Sequence, residues 1–395
     1  MKAAFVTFGC RLNKAEALEM EAEYAAAGWD VVSVKAGASS NTPPDVIVVR
    51  GCSVTAKAQR DCEKEIAHLR ARFPQAEIRI AGCLPGAAAS EPPRNAAVNL
   101  RTSRAYLKVQ DGCSGKCAYC IVPSFRGAPV SVPFEVALSR AREFLAAGFR
   151  EIVVTGCNLC LYRDGGRGLP DLVSALAALE SPGHRIRLGS IEPGICDGAL
   201  IDTFEAHPNV CRFFHLSLQS GSNHILKAMR RPYAAERIAE LCDDARRRIG
   251  PRLALGADVI AGFPGETVED HEATKALIAS RFVHLHVFPF SERPGTEAAA
   301  MGGAVPVAVR RARAKELESI GAANREAFAS TLTGQDVEVC VERGGTGRTS
   351  CNMRCILEGA APRRSLVRAT VKKYFPKSGA ISATIRAIKK GGTLK

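Results

Sequence analysis

Between residues 104 and 330 one unit repeats: a short run, mostly apolar except for Arg-Ile-Arg-Leu at 185–188, a turn rich in glycine, then an amphipathic run of helix length. The apolar runs fall at 106–110, 151–155, 185–188, 213–218, 254–260 and 283–288. The helical runs between them fall at 133–147, 169–179, 197–206, 233–248 and 268–280. Apolar runs this short, with little polar alternation, are strands covered on both faces, and strands separated by helices lie parallel. Six such units predict an open (β/α)6 partial barrel. In closed barrels of this kind the chemistry gathers at the C-terminal ends of the strands. The residues at those ends suit a cofactor: Thr155-Gly156-Cys157-Asn158, Gly189-Ser190-Ile191-Glu192, Gln219-Ser220-Gly221-Ser222 and Ala261-Gly-Phe-Pro-Gly-Glu266. Gly156, Asn158, Ser190, Glu192 and Gln219 are the candidate cofactor contacts. Any one of these turns alone is an ordinary capped βα turn; the repetition at successive exits is what singles them out.

The first region, residues 1–103, follows the same logic on a smaller scale. Strands are expected at 2–7, 29–34, 45–49 and 77–81, and helices at 13–27 and 55–72, which gives a small parallel α/β domain. Three of the strands run into a Gly-Cys pair: Gly9-Cys10, Gly51-Cys52 and Gly82-Cys83. Strand C-termini in a parallel sheet share one edge, so Cys10, Cys52 and Cys83 are expected to converge as a metal site. A second set, Cys113, Cys117 and Cys120, has the spacing C-x3-C-x2-C on one short loop. Three thiolates are one fewer than a closed [4Fe–4S] cluster takes, which leaves one iron free for a ligand. Zinc is the alternative for this loop, but zinc sites usually show paired C-x2-C units or histidines. Of the fifteen cysteines, Cys157/Cys160 and Cys351/Cys355 are further spaced pairs that could bind metal or simply pack. Cys62, Cys196, Cys211, Cys242 and Cys340 read as packing residues.

A chain of 395 residues supports two or three cores, so the cysteines are not the staples of a small secreted fold. No apolar signal region opens the sequence, and no run approaches the roughly 18 apolar residues of a membrane span. Reduced thiols, a cytoplasmic location and no membrane partner are expected. The formal charge is +14, and residues 335–395 hold 13 Lys or Arg against 4 Asp or Glu, a net of +9. This last region, 331–395, reads as a small basic β-barrel with strands at 337–341, 366–371 and 381–388. Arg363, Arg364, Arg368, Lys372 and Lys373 crowd one short segment and are candidate phosphate contacts.

The loop at 113–120 is similar to that of radical S-adenosylmethionine enzymes, and the whole chain resembles one family of them, the methylthiotransferases. The resemblance runs from Met1 to about Asp336. It is carried by Thr7-Phe-Gly-Cys-Arg-Leu-Asn13, Gly51-Cys-Ser-Val-Thr55, Ile80-Ala-Gly-Cys83 and Val109-Gln-Asp-Gly-Cys-Ser-Gly-Lys-Cys-Ala-Tyr-Cys-Ile-Val-Pro-Ser-Phe-Arg-Gly127. His215-Leu-Ser-Leu-Gln-Ser-Gly221, Met229-Arg-Arg-Pro-Tyr233, Asp258-Val-Ile-Ala-Gly-Phe-Pro-Gly-Glu-Thr267 and Phe290-Ser-Glu-Arg-Pro-Gly-Thr296 extend it. The resemblance implies two [4Fe–4S] clusters. Cys113, Cys117 and Cys120 would hold the radical cluster, whose open iron chelates S-adenosylmethionine, with Tyr119 near the adenine. Cys10, Cys52 and Cys83 would hold an auxiliary cluster that supplies the inserted sulfur. One cofactor molecule would methylate that sulfur; a second would be cleaved to a 5′-deoxyadenosyl radical that takes hydrogen from the substrate carbon. An electron donor such as flavodoxin or ferredoxin is implied, as is tRNA as partner. Arg185-Ile-Arg-Leu-Gly-Ser-Ile-Glu-Pro193 is most similar to the members acting at C2 of N6-threonylcarbamoyladenosine next to the tRNA anticodon. The alternatives are isopentenyladenosine in tRNA, a ribosomal-protein aspartate, or a non-catalytic RNA-binding iron–sulfur protein. Three features depart from the family: Arg50-Gly51 stands where Asn-Thr is usual, Leu84-Pro85-Gly86 follows the third cysteine, and only about 30 residues separate Cys83 from Cys113, which implies a shortened first domain. The tail is a degenerate version of the family's RNA-binding module, called TRAM.

Overall fold

The computed structural model describes residues 1–34, 43–85, 87, 98–181, 183–196, 198–279, 281–390 and 393–394. Gly86, Asp197 and Ser280, at the edges of three expected features, lie outside the described residues.

The chain opens with β1 (Lys2–Thr7), α1 (Arg11–Ala26), β2 (Asp30–Val32), β3 (Val46–Cys52), α2 (Ala56–Arg72) and β4 (Glu77–Cys83). The four strands form one parallel sheet in the order β2-β1-β3-β4. Val46-Ile-Val-Val49 suits the central position because β-branched side chains pack well on a pleated surface covered on both sides, and β3 is buried throughout. The Thr55 hydroxyl caps α2 by accepting from Ala58 N at 3.1 Å, and Cys62, Ile66 and Leu69 form its buried stripe. Both β3 and β4 run further than the apolar pattern indicates and end on Cys52 and Cys83 themselves.

The six expected central strands are all present and parallel, but they form two sheets. Strands β5 (Ala105–Lys108), β6 (Glu151–Thr155) and β7 (Arg185–Leu188) make one, in the order β7-β6-β5. A short β8 (Ser190–Ile191), then β9 (Phe213–Gln219), β10 (Ala254–Ala261) and β11 (His284–Pro289), make the other. The third unit is thus one strand broken at Gly189, pairing with β6 before the break and with β9 after it. A Cβ at Gly189 would meet Leu159 Cδ1 and Val154 O, each at 3.3 Å, so the bend has room only for glycine without adjustment. Helices α3 (Val122–Arg126), α4 (Phe134–Ala146), α5 (Leu169–Ala177), α6 (Gly198–Ala206), α7 (Asn223–Ala228), α8 (Ala235–Ile249) and α9 (Val268–Ala279) alternate with the strands. Ile152, Val154, Ile186, Leu216 and Ala257 lie in the main core with Leu172, Ile238 and Ile278 of the helices.

A long helix, α10 (Val307–Leu332), then carries the chain to the tail. There five strands, not three, close on themselves: β12 (Asp336–Val341), β13 (Thr346–Thr349), β14 (Arg354–Glu358), β15 (Leu366–Phe375) and β16 (Ala380–Lys390). The order is β14-β13-β12-β15-β16, and a parallel pairing of β14 with β16 completes the ring. This barrel seats on the N-terminal mouth of the central one. Phe213, Ala254 and Val283, at the N-terminal ends of barrel strands, share one apolar cluster with Ala329, Leu332, Val339, Met353 and Val367. Beside it, Glu151, Arg185 and Arg187 are at most 1% exposed. Arg185 Nη2 and Arg187 Nε donate to Glu151 at 2.6 and 2.7 Å. Their remaining donors reach Arg348 O at 2.7 Å and Thr349 O at 2.8 Å in the tail. Burial alone would raise the Glu151 carboxyl; Arg187, Arg185 and Arg104 overcome it and hold it well below the usual range.

Candidate active site

The first cysteine triad forms where β1, β3 and β4 end. Cys52 and Cys83 are directly paired across the sheet, and Cys10 is the N-cap residue of α1. Gly9 is in the left-handed region (φ +89°), and a Cβ there would come within 2.7 Å of Cys52 Cβ. That close approach brings the Gly9-Cys10 turn against Cys52. Asn13 ties the same edge together: its Nδ2 donates to Phe8 O at 3.0 Å and Gly51 O at 2.7 Å. Cys62 on α2 supports Cys52, accepting from its backbone N–H at 3.4 Å.

The second triad lies on the loop between β5 and α3. Gly115 sits between two of its thiols: a Cβ there would lie 3.2 Å from Cys113 Sγ and 3.7 Å from Cys117 Sγ. Cys120 N donates to Cys117 O at 3.1 Å, which curls the loop so that the third thiol faces the other two. All three are partly exposed. Tyr119, between them in sequence, packs with Ile225, Met229, Phe263 and Phe290.

Two arginines to which the cysteine spacing gives no role join these triads to their surroundings. Arg126, at the end of α3, donates through Nε to Cys83 Sγ at 3.0 Å and through Nη2 to Asn13 Oδ1 at 2.7 Å. Its Nη1 donates to Glu16 Oε1 at 3.0 Å and to Asp111 Oδ1 at 2.9 Å. It therefore bridges the first triad to the residue two before Cys113. Arg231 donates to Cys117 Sγ at 3.1 Å and also pairs with Glu192. Both belong to motifs quoted above, Phe125-Arg-Gly127 and Met229-Arg-Arg-Pro-Tyr233, which is the signal the sequence offers for them. Glu16 is buried, which would raise its carboxyl, but Arg126, Lys108 and Arg50 bring it down to about 2.

The five candidate cofactor contacts meet different fates. Glu192 is buried, and its Oε1 has no hydrogen-bond partner although Oε2 meets Arg231. It keeps a buried acceptor with capacity for one more donor. Gln219 ends β9 with φ +67°, a conformation unusual for a residue with a side chain, next to a register shift in the sheet. Ser190 is exposed, 3.5 Å from Asp258 Oδ2. Gly156 and Asn158 have local explanations. A Cβ at Gly156 would touch Gln110 at 3.0 Å. The Asn158 side chain caps the turn at Leu159–Leu161 by accepting from Cys160 N at 3.2 Å. Among the other cysteines, Cys351 and Cys355 lie in the tail core, and Cys157 donates to Asp111 at 3.3 Å. Arg363 and Arg364, expected as phosphate contacts, are instead engaged internally. Arg363 donates to Ser103 Oγ at 2.9 Å, and Arg364 donates to Thr102 O at 3.1 Å and stacks on Phe149, 4.4 Å from its ring centre.

Both triads suit iron–sulfur clusters. Burial pushes the Cys52 and Cys120 thiols up to about 11; iron bound there would take the place of those protons. Arg126 and Arg231 supply N–H donors to sulfur in each site, the kind of hydrogen bond that tunes such clusters.

Residues 107–278 match the Radical SAM superfamily, and residues 2–99 match Uncharacterized protein family UPF0004. The fold is shared with the radical S-adenosylmethionine methyltransferase TsrM from Kitasatospora setae, with a TM-score of 0.55 at 13% identity, over 76% of this chain and 77% of that one. Fold and cysteine loop together define a radical S-adenosylmethionine enzyme. The threonylcarbamoyladenosine tRNA methylthiotransferase MtaB of Chlamydia pneumoniae is 32% identical over 86% of each chain. A tRNA-2-methylthio-N(6)-dimethylallyladenosine synthase of Cereibacter sphaeroides is 31% identical over 86% of this chain and 87% of its own. The chain belongs to the radical S-adenosylmethionine methylthiotransferase family, whose members use S-adenosylmethionine and two [4Fe–4S] clusters.

Proposed function

We propose that this protein methylthiolates tRNA, at C2 of the N6-threonylcarbamoyladenosine beside the anticodon. The observation that carries the reading is the pair of three-cysteine sites joined through Arg126. That arginine donates both to a sulfur of the first triad and to the carboxylate of Asp111, which leads into the second. A single-cluster radical enzyme has no use for the first triad. In this reading Cys113, Cys117 and Cys120 hold the radical cluster, and Cys10, Cys52 and Cys83 the auxiliary one. The clusters and S-adenosylmethionine supply the carbon radical and the methylthio group, chemistry that no protein side chain provides at an aromatic C–H. The protein's own residues bind and orient. Glu192 offers its unpaired oxygen to a cofactor donor, Arg231 fixes Glu192, and Tyr119 walls the cofactor with its aromatic neighbours. Residues 1–103 carry the sulfur site, 104–330 the cofactor site and 331–395 an RNA-binding surface. An external one-electron donor such as flavodoxin or ferredoxin completes the system, which would work in the cytoplasm with tRNA. No helix among the described residues is long and apolar enough to cross a membrane.

The resemblance of residues 185–193 supports the threonylcarbamoyl substrate over the isopentenyl one. Mass spectrometry of tRNA nucleosides from cells lacking the gene tests the reading. The methylthio form of threonylcarbamoyladenosine should vanish while its unmodified precursor persists. Loss of the methylthio isopentenyl nucleoside instead would move the assignment to the other branch.

A further inference from the structure

Arg11 follows the first triad's Cys10 directly, yet its side chain leaves that sheet. Its Nη1 donates to Leu188 O, at 3.4 Å, where β7 breaks into β8. The guanidinium therefore stands between the sulfur site and the interior of the central barrel, and it is partly exposed. Other arginines nearby are matched by carboxylates: Arg104 by Glu342 at 2.9 Å, and Arg185 and Arg187 by Glu151. Among the described residues Arg11 has no carboxylate within ion-pair distance. Across the break, Ser190 Oγ lies 3.5 Å from Asp258 Oδ2. Asp258 Oδ1 faces His215 Nε2 at 3.1 Å and His286 Nδ1 at 3.2 Å.

The His215, Asp258 and His286 ligand atoms lie within 4.8 Å of one another, close enough for a metal. The second ring nitrogen argues otherwise. A metal-binding imidazole usually donates its other N–H to a fixed acceptor, whereas His215 Nδ1 is buried without a partner. A Cβ at Gly256 would lie only 2.5 Å from it. His215 is better satisfied with its proton on Nε2, donating to Asp258. The imidazoles then hold Asp258 as an oriented acceptor. The wall so formed offers Arg11, a cation with no ion-pair partner that feels the Asp258 carboxylate across the break, and one oriented acceptor, Asp258 with Ser190.

We propose that Arg11 determines substrate specificity by pairing with a carboxylate on the N6 substituent of the target adenosine, while Asp258 and Ser190 accept from that substituent's hydroxyl or ureido N–H. This rests on the proposed function and deepens it. A threonylcarbamoyl group carries one carboxylate together with such donors. An isopentenyl group carries neither, and would leave the Arg11 guanidinium against an apolar chain with no anion, the situation a polar site rejects most strongly.

The test measures RNA binding by the full-length protein with both clusters reconstituted, so no turnover is needed. Anticodon stem-loops would carry threonylcarbamoyladenosine, its methyl ester or isopentenyladenosine. The wild type should bind the free acid at least about tenfold more tightly than the ester, as a charge-assisted hydrogen bond requires. Arg11→Gln should remove that difference and Arg11→Lys should keep most of it, with iron content unchanged in both. Equal affinity for acid and ester in the wild type, or an intact acid preference in Arg11→Gln, overturns the proposal while leaving the proposed function standing. A wild type that prefers the isopentenyl RNA overturns the proposed function itself.

Discussion

At the scale of residues, two of the departures from the family pattern, at Gly51 and Leu84, explain each other. A Cβ at Gly51 would sit 1.8 Å from Leu84 Cδ1. Leu84 is buried and occupies the place a side chain at position 51 would take. Arg50, its neighbour, is buried against Glu16. Gly51→Val should therefore cost roughly 1–3 kcal/mol by overpacking and lower the iron held by the first triad, and adding Leu84→Ala should restore much of both. Denaturant melts and iron assays on the three variants check this; an additive double variant would show that the positions are independent. Acid should act on Glu16. Its carboxyl is lowered in the folded protein, so its contribution is full above its unfolded value near 4.5 and is lost as pH falls toward about 2. Glu16→Gln should flatten the acid limb of a stability–pH curve across that window. The cysteines are legible in the sequence because Gly-Cys after a buried strand names a place on a sheet edge. Arg126 stands in a motif, but its pairing with Glu16 is not legible, because the two meet only through hydrogen bonds 110 residues apart in sequence.

At the scale of elements, apolar runs locate the barrel strands because most are buried on both faces, the last, His284–Pro289, being the exception. They cannot reveal that the third strand changes sheets at Gly189, which follows from its two sets of pairing partners. The tail strands Thr346–Thr349 and Arg354–Glu358 are hard to read because one is short and glycine-bearing and the other alternates charged and buried residues. Helix α10 is equally faint: two of its six buried positions are Arg310 and Gly321, so the buried stripe is not an apolar one. The docking of the tail depends on Glu151. Glu151→Gln would leave Arg187 buried without its anion and Arg185 with only Glu338, a loss of about 3–5 kcal/mol for a pair broken on one side. Limited proteolysis should then cut near residue 333 faster than in the wild type, with the barrel core still protected. Unchanged cleavage would mean that the apolar cluster alone holds the joint.

At the scale of the whole molecule, the sequence puts an excess of positive charge in the tail, and the structure divides that charge between two tasks. Arg363 and Arg364 fasten the tail to residues 100–103. Arg368, Lys372 and Lys373 on β15 remain exposed. Removing the tail would also uncover Glu151, Arg185 and Arg187, so point substitutions are the cleaner test. Replacing Arg368, Lys372 and Lys373 with Ala should weaken tRNA binding and make the salt slope shallower by about one for each phosphate no longer neutralised; an unchanged slope would place RNA recognition elsewhere. The central claim is that two cysteine sites, brought together through Arg126, transfer a methylthio group to one kind of tRNA base. The most direct measurement gives the reconstituted protein S-adenosylmethionine, a reductant and an equimolar mixture of two tRNAs, one bearing threonylcarbamoyladenosine and the other isopentenyladenosine, followed by nucleoside mass spectrometry. The methylthio group should appear on threonylcarbamoyladenosine alone. Its appearance on isopentenyladenosine, or cleavage of S-adenosylmethionine with neither nucleoside changed, would contradict the account.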